Sequence, residues 1–144
     1  MRLWHKNLIS TLPREQLVAQ WRELSSVAGS IQKKGTPNHI LVNFVLDYDF
    51  DHFINYAAAV RAEMTKRGYR TMNSVWEKIE SLKPDWKKIP FEDIYKEKMN
   101  KDYLKICYYN LYEKYLCGGI KQDNWKLIED NFWFEMYRWE NNVR

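Results

Sequence analysis

Residues 12–28 read LPREQLVAQWRELSSVA. Leu17, Trp21, Leu24 and Ala28 recur at i, i+4, i+7 and i+11, the spacing of one face of an α-helix. Pro13 suits the first turn of that helix, where its fixed φ is already helical and its missing N–H would have no partner. Gly29 is the expected end. Outward from this stretch the period stays helical. DFDHFINYAAAVRAEMTKRG (49–68) turns Phe50, Ile54, Ala57 and Met64 inward, with Gly68 as a left-handed stop. Ser74-Val75-Trp76-Glu77 has the capping-box pattern and starts a short helix through Leu82. Pro84 and Pro90 bracket a loop. Asn100 opens a long helix ending at Gly118-Gly119, and Asp123 or Asn124 opens a last one through about Asn141. KKGTPN (33–38) is a loop, and HILVNFVL (39–46) fits either a strand or an ordered connection. The expected fold class is all-α: a single compact domain over residues 1–144, with about five helices and irregular connections.

Composition supports a folded chain. At 144 residues, 45% hydrophobic and 29% charged, the protein can bury a core without metal or disulfide staples and is too apolar for disorder. Its apolar runs fall far short of a membrane span, and no signal-peptide pattern is present. Cys107 and Cys117 lie ten apart in one helical segment, a poor placement for a mutual bridge. The three histidines are scattered at 5, 39 and 52, so no Cys/His metal site is expected. A reducing cytoplasm fits, with no metal or cofactor.

The formal net charge of +4 is unevenly placed. Residues 1–46 hold six basic side chains (Arg2, Lys6, Arg14, Arg22, Lys33, Lys34) against Glu15 and Glu23, whereas residues 47–144 hold 17 of each sign. A basic front on a balanced body fits a polyanionic partner, most simply a nucleic acid. A solvated charged face fits equally.

Several side chains carry a functional reading beside a structural one. Arg22 and Glu23 lie off the apolar stripe, and Glu23 shares a small, polar side of the helix with Gln16, Ala19 and Gln20. Periodicity alone makes Glu23 an ion-pair partner as readily as a catalyst. Lys33 and Lys34 before Gly35 form a phosphate clamp on a mobile loop, or a solvated loop. His5 has a titration range suited to proton transfer, but a histidine beside Trp4 is more often packed; His39 and His52 are read as structural. Trp4 and Trp21 are expected in the core, fixing the chain start against the first helix. Near the C-terminus, Trp133, Phe134, Tyr137 and Trp139 are able to stack on bases, with Arg138 and Arg144 on phosphates. Tyr108, Tyr112, Tyr115, Trp125, Phe132 and Trp133 also suit helix-to-helix packing. That leaves Tyr137, Arg138 and Trp139 as the DNA-contact candidates.

MRLWHKNLISTLPREQLVAQWREL (1–24), with KRGYR further on (66–70), resembles the pyrimidine-dimer DNA glycosylase and abasic-site lyase family, of phage ultraviolet-repair endonuclease type, and most closely its bacterial branch. The resemblance is clearest over residues 1–29 and continues weakly through 39–70. It implies a DNA-repair enzyme that attacks C1′ of a damaged nucleotide with the α-amine of its first residue, forms a Schiff base, and cuts the strand by β-elimination. An α-amine with a pKa of ~7.7–8.0 is partly neutral at physiological pH, whereas a lysine at ~10.4 is not. By its place in WREL, Glu23 takes the role of the carboxylate that stabilises the sugar cation and shuttles protons. Arg22 matches an arginine on DNA phosphates, and Arg2 matches the arginine beside the nucleophile if one extra residue separates it from Arg22. Arg14 adds to the basic front.

Two departures from the family pattern stand out. The family's reactive threonine follows a removed methionine; here Arg2 is too large for the usual aminopeptidase, so the expected nucleophile is the Met1 α-amine. The family's helix histidine is Gln16 here, which hydrogen-bonds DNA without adding charge, and a later arginine is Ser26. The partner implied is damaged double-stranded DNA, met by a monomer with no membrane association in the nucleoid of a bacterial or phage-infected cell. The alternatives are a non-catalytic nucleic-acid-binding module on the same scaffold, or a protein-interaction domain using its exposed aromatics.

Overall fold

A computed structural model describes residues 1–142. Among them the fold is all-helical, with no strand. Five α-helices run α1 (Arg14–Lys34), α2 (Phe50–Lys66), α3 (Asn73–Glu80), α4 (Lys101–Leu116) and α5 (Gln122–Glu140), with short 3-10 helices at Lys6–Thr11, Asn43–Asp47 and Phe91–Asp93. No helix among the described residues is long and apolar enough to cross a membrane.

The chain divides into two compact units. One comprises Met1–Leu3 and Glu15–Lys96; the other comprises Trp4–Arg14 and the chain from Glu97 onward.

In the first unit, α1 buries Leu17, Trp21, Leu24 and Ala28, as their spacing predicts, and also Val27 and Ile31. Gly29 does not end it. Burial of Ile31 carries the helix on for five residues, offsetting the roughly 1 kcal/mol that a mid-helix glycine costs. The stop is Gly35, at φ 76°. Lys33 and Lys34 therefore occupy the last turn of α1 rather than a mobile loop, where they complement the negative end of the helix dipole. HILVNFVL is an ordered connection: a turn closed by the Asn43 N–H on the His39 carbonyl at 2.8 Å, then the 3-10 helix, with Val42 and Val45 buried.

Asp49 caps α2, accepting the Asp51 N–H at 2.9 Å. Gly68, at φ 82°, ends the turn after it, where the Tyr69 N–H reaches back to the Met64 carbonyl at 2.8 Å. The loop between Pro84 and Pro90 docks on α2. There Asn55 donates to the Lys87 carbonyl and accepts from the Ile89 N–H, at 2.8 and 3.0 Å. The expected Ser74 capping box is absent: α3 starts two residues earlier, with Met72 in the N-cap position and no side-chain cap. A contact distant in sequence sets that start, since Arg61 Nη2 donates to Asn73 Oδ1 at 2.9 Å.

The second unit packs α5 against both α4 and the 3-10 helix Lys6–Thr11. Asn100 caps α4 by accepting the Tyr103 N–H at 2.9 Å. Tyr108 lies nearly parallel to Phe132 with ring centroids 3.8 Å apart, and Trp125 stacks on Tyr115 at 5.0 Å. Burial, followed by the Glu129 carboxylate, pushes the Tyr108 phenol up to about 12. On the other side of α5, Asn131 Nδ2 donates to the Asn7 carbonyl at 2.8 Å, and Asn7 Nδ2 donates to Glu135 Oε2 at 3.0 Å. Cys107, which is buried and accepts the His5 N–H at 3.3 Å, and the exposed Cys117 form no disulfide with each other.

Candidate active site

Glu23 is half-buried on α1, and Arg22 beside it is exposed. The stripe that orients them contains one polar member that periodicity placed on the wrong side. Gln20 is 0% exposed, although the sequence assigns it to the small, polar flank. Its carboxamide is satisfied twice inside the first unit. Nε2 donates to the Arg2 carbonyl at 3.0 Å, and Oε1 accepts from the Tyr56 hydroxyl of α2 at 2.8 Å. Positions 17, 20, 21 and 24 together form an i, i+3, i+4, i+7 set, so the signal for burial was there to be read. Tyr56, also fully buried, gave none.

The consequence is geometric. The segment Met1–Leu3 is held on α1 at Gln20, with Leu3 fully buried as its anchor and Met1 48% exposed. Glu23 stands three residues further along the same helix, on the neighbouring face. Gln16 stands one turn before Gln20, and its Oε1 is buried with no hydrogen-bond partner. Met1, Arg2, Gln16 and Glu23 thus all belong to the first unit.

The basic residues are less uniform than their count suggests. Arg14, Arg22, Lys33 and Lys34 are exposed and Arg2 is partly so, but Lys6 is buried and drops out of the basic front. Its alkyl stem makes such burial feasible.

The second unit gives several residues structural work. His5 is fully buried. Its Nδ1 accepts the Asn7 N–H at 3.1 Å and its Nε2 faces the Met99 carbonyl at 2.8 Å. A carbonyl only accepts, so Nε2 carries the proton and the ring is the neutral Nε2–H tautomer. Trp139 meets His5 edge-on at 5.7 Å. Arg138 pairs with Glu135 at 3.4 Å and lies over the Phe134 ring, while Tyr137 is 61% exposed. Arg144 lies outside the described residues. Trp4 and Trp21 are both buried, each in its own unit. Tyr108, Trp125 and Phe132 are buried as packing residues, but Trp133 is exposed. In the first unit His52 Nδ1 accepts the Tyr95 N–H and His39 Nδ1 accepts the Leu41 N–H, which accounts for both as structural.

Compared with known proteins, residues 1–78 match the family described as pyrimidine dimer DNA glycosylase. The match takes in Met1, Gln16, Gln20, Glu23, Lys34 and Tyr56. Comparison with curated proteins and with solved structures yields no match.

Proposed function

Since the chain belongs to the pyrimidine dimer DNA glycosylase family, we propose that it excises a damaged pyrimidine from duplex DNA and then cleaves the abasic strand. The Met1 α-amine is the nucleophile and Glu23 the acid/base. The observation that carries this reading is the bond from Gln20 to the Arg2 carbonyl, which holds the segment bearing the amine on the helix that bears Glu23.

The steps follow from these groups. The neutral amine attacks C1′, the glycosidic bond breaks, and the base leaves with its electron pair and takes up a proton. The Glu23 carboxylate stabilises the positive charge that develops on the sugar in this step. The sugar ring opens as O4′ is protonated, leaving an imine between C1′ and the amine. Removal of a C2′ proton then expels the 3′ phosphate, and water releases the protein. Glu23 moves the protons at O4′ and C2′. Reaching C1′ requires an extruded nucleotide, and the binding that supports it is largely to phosphates. The exposure of Arg22, Lys33 and Lys34 and the partial exposure of Arg2 support a phosphate-binding role; Arg14 and Tyr137 are further contact candidates. Gln16 is a further contact candidate by its match to the family's helix histidine, although its Oε1 is buried. His5, with both ring nitrogens engaged, has no step here.

The test is borohydride trapping on a duplex with one abasic site, comparing the native chain with one whose α-amine is acylated, after mass measurement shows Met1 retained and free. An adduct with the native chain that vanishes on acylation is expected. Glu23→Gln should lower strand cleavage by about 10²–10⁴ and leave duplex affinity nearly unchanged. No adduct, with DNA still bound, would instead make the chain a non-catalytic nucleic-acid-binding module. Duplexes carrying a cyclobutane dimer test the lesion: cleavage of one glycosidic bond, read as strand scission at the dimer, is expected there and not in undamaged DNA, the severed base staying joined to its neighbour through the cyclobutane ring.

A further inference from the structure

A chain start normally frays, and an imine-forming amine that frays would spend most of its time misplaced. The Arg2 carbonyl can only accept a hydrogen bond, so the Gln20 atom facing it at 3.0 Å is the NH₂ end. The Gln20 oxygen is then free to accept, and the Tyr56 hydroxyl donates to it at 2.8 Å. Tyr56 thus fixes which way the amide faces, and the amide fixes the peptide plane after Arg2. Gln20, Tyr56 and Leu3 are all fully buried, so water competes weakly for either bond. Between the fixed plane and the α-amine only the ψ of Met1 and the φ and ψ of Arg2 stay soft.

We propose that Gln20, oriented by Tyr56, is a positioning residue that sets where the α-amine sits relative to Glu23. The proposal rests on the amine being the nucleophile, as in the reading above. A buried polar pair needs partners in any fold; here the partner is the backbone of the residue next to the reacting group.

Gln20→Met alone strips the Tyr56 hydroxyl of its Gln20 acceptor inside the core and destabilises the fold for that reason, so the decisive variant is the pair Gln20→Met with Tyr56→Phe, which removes the hydroxyl along with that acceptor. Single-turnover trapping on an abasic duplex at saturating protein should fall about 10-fold or more. The dissociation constant for the same duplex should stay within about two-fold, which separates misplacement from lost binding. Gln20→Glu adds a readout that a purely structural role would not move. Its ionised carboxylate cannot donate to the Arg2 carbonyl, but its protonated form can while still accepting from Tyr56. The variant's trapping rate, as a fraction of the native rate at each pH, should therefore recover as the pH falls toward about 5. Native-rate trapping by the double variant, or a loss confined to the dissociation constant, would overturn the proposal.

If the native chain traps nothing, the lyase reading fails by itself, and acylation of the α-amine by an N-hydroxysuccinimide ester at neutral pH still tests the clamp. Labelling several-fold faster in the double variant is expected for a released terminus, and an unchanged rate would overturn the clamp.

Discussion

Asp49 does two things with one carboxylate: it caps α2 through the Asp51 N–H and pairs with Lys83 Nζ at 2.9 Å. The cap, and after it the Lys83 hydrogen bond, holds its carboxyl below the usual aspartate value of 3.8. A group whose folded value is depressed contributes stability above its unfolded value and loses it as the pH falls through the folded one. Asp49→Ala should therefore lower the melting temperature at neutral pH, and the gap from the native chain should close below the ordinary value of 3.8. Thermal melts of both chains across that range check it; a gap that persists at the acid end would mean the carboxylate charge contributes nothing. This cap was not picked out in the sequence, which instead pointed to Ser74. Short polar residues near a helix start are common, and only tertiary contacts, such as Arg61 on Asn73, decide which of them is used.

At the level of elements the helices themselves were legible. Pro13 before α1, Asn100 before α4, and the glycines after α2 and α4 are local signals, and local signals survive folding. Gly29 misled because the end of α1 depends on burying Ile31, which is not a local matter. The α4–α5 pairing shows a related limit: the spacing of Tyr108, Trp125 and Phe132 predicts packing, but it does not separate Phe132 from its neighbour Trp133. Phe132 is 1% exposed and Trp133 57% exposed. Phe132→Ala should cost about 3–5 kcal/mol in denaturant unfolding, whereas Trp133→Ala should stay within about 0.5 kcal/mol. Equal losses would mean that the Tyr108–Phe132 stack does not hold the second unit together.

For the whole molecule, charge is the property that a long anionic partner would sense first. Burial of Lys6 trims the basic front, and Lys33 and Lys34 at the end of α1 become its most compact exposed pair. Each phosphate neutralised contributes about 0.9 to the slope of log affinity against log salt. Replacing both lysines with alanine should flatten that slope by about two on undamaged duplex, as read by anisotropy titrations over a range of salt. A steep, unaltered slope would take this pair off the DNA. The candidate site was legible as far as Met1, Arg22 and Glu23, because a family motif spans them. The burial of Gln20 was legible in its spacing, but its bond to Tyr56 was not, because that partnership joins positions 36 apart in the chain.

The Gln20 bond to the Arg2 carbonyl also bears on how this protein can be handled. A recombinant version that keeps a two-residue scar ahead of Met1 would carry its α-amine up to ~7 Å beyond the place that bond defines. Such a preparation would fold, bind DNA and look pure, yet under the proposed chemistry it would be inert. An affinity handle for this chain belongs at the other end.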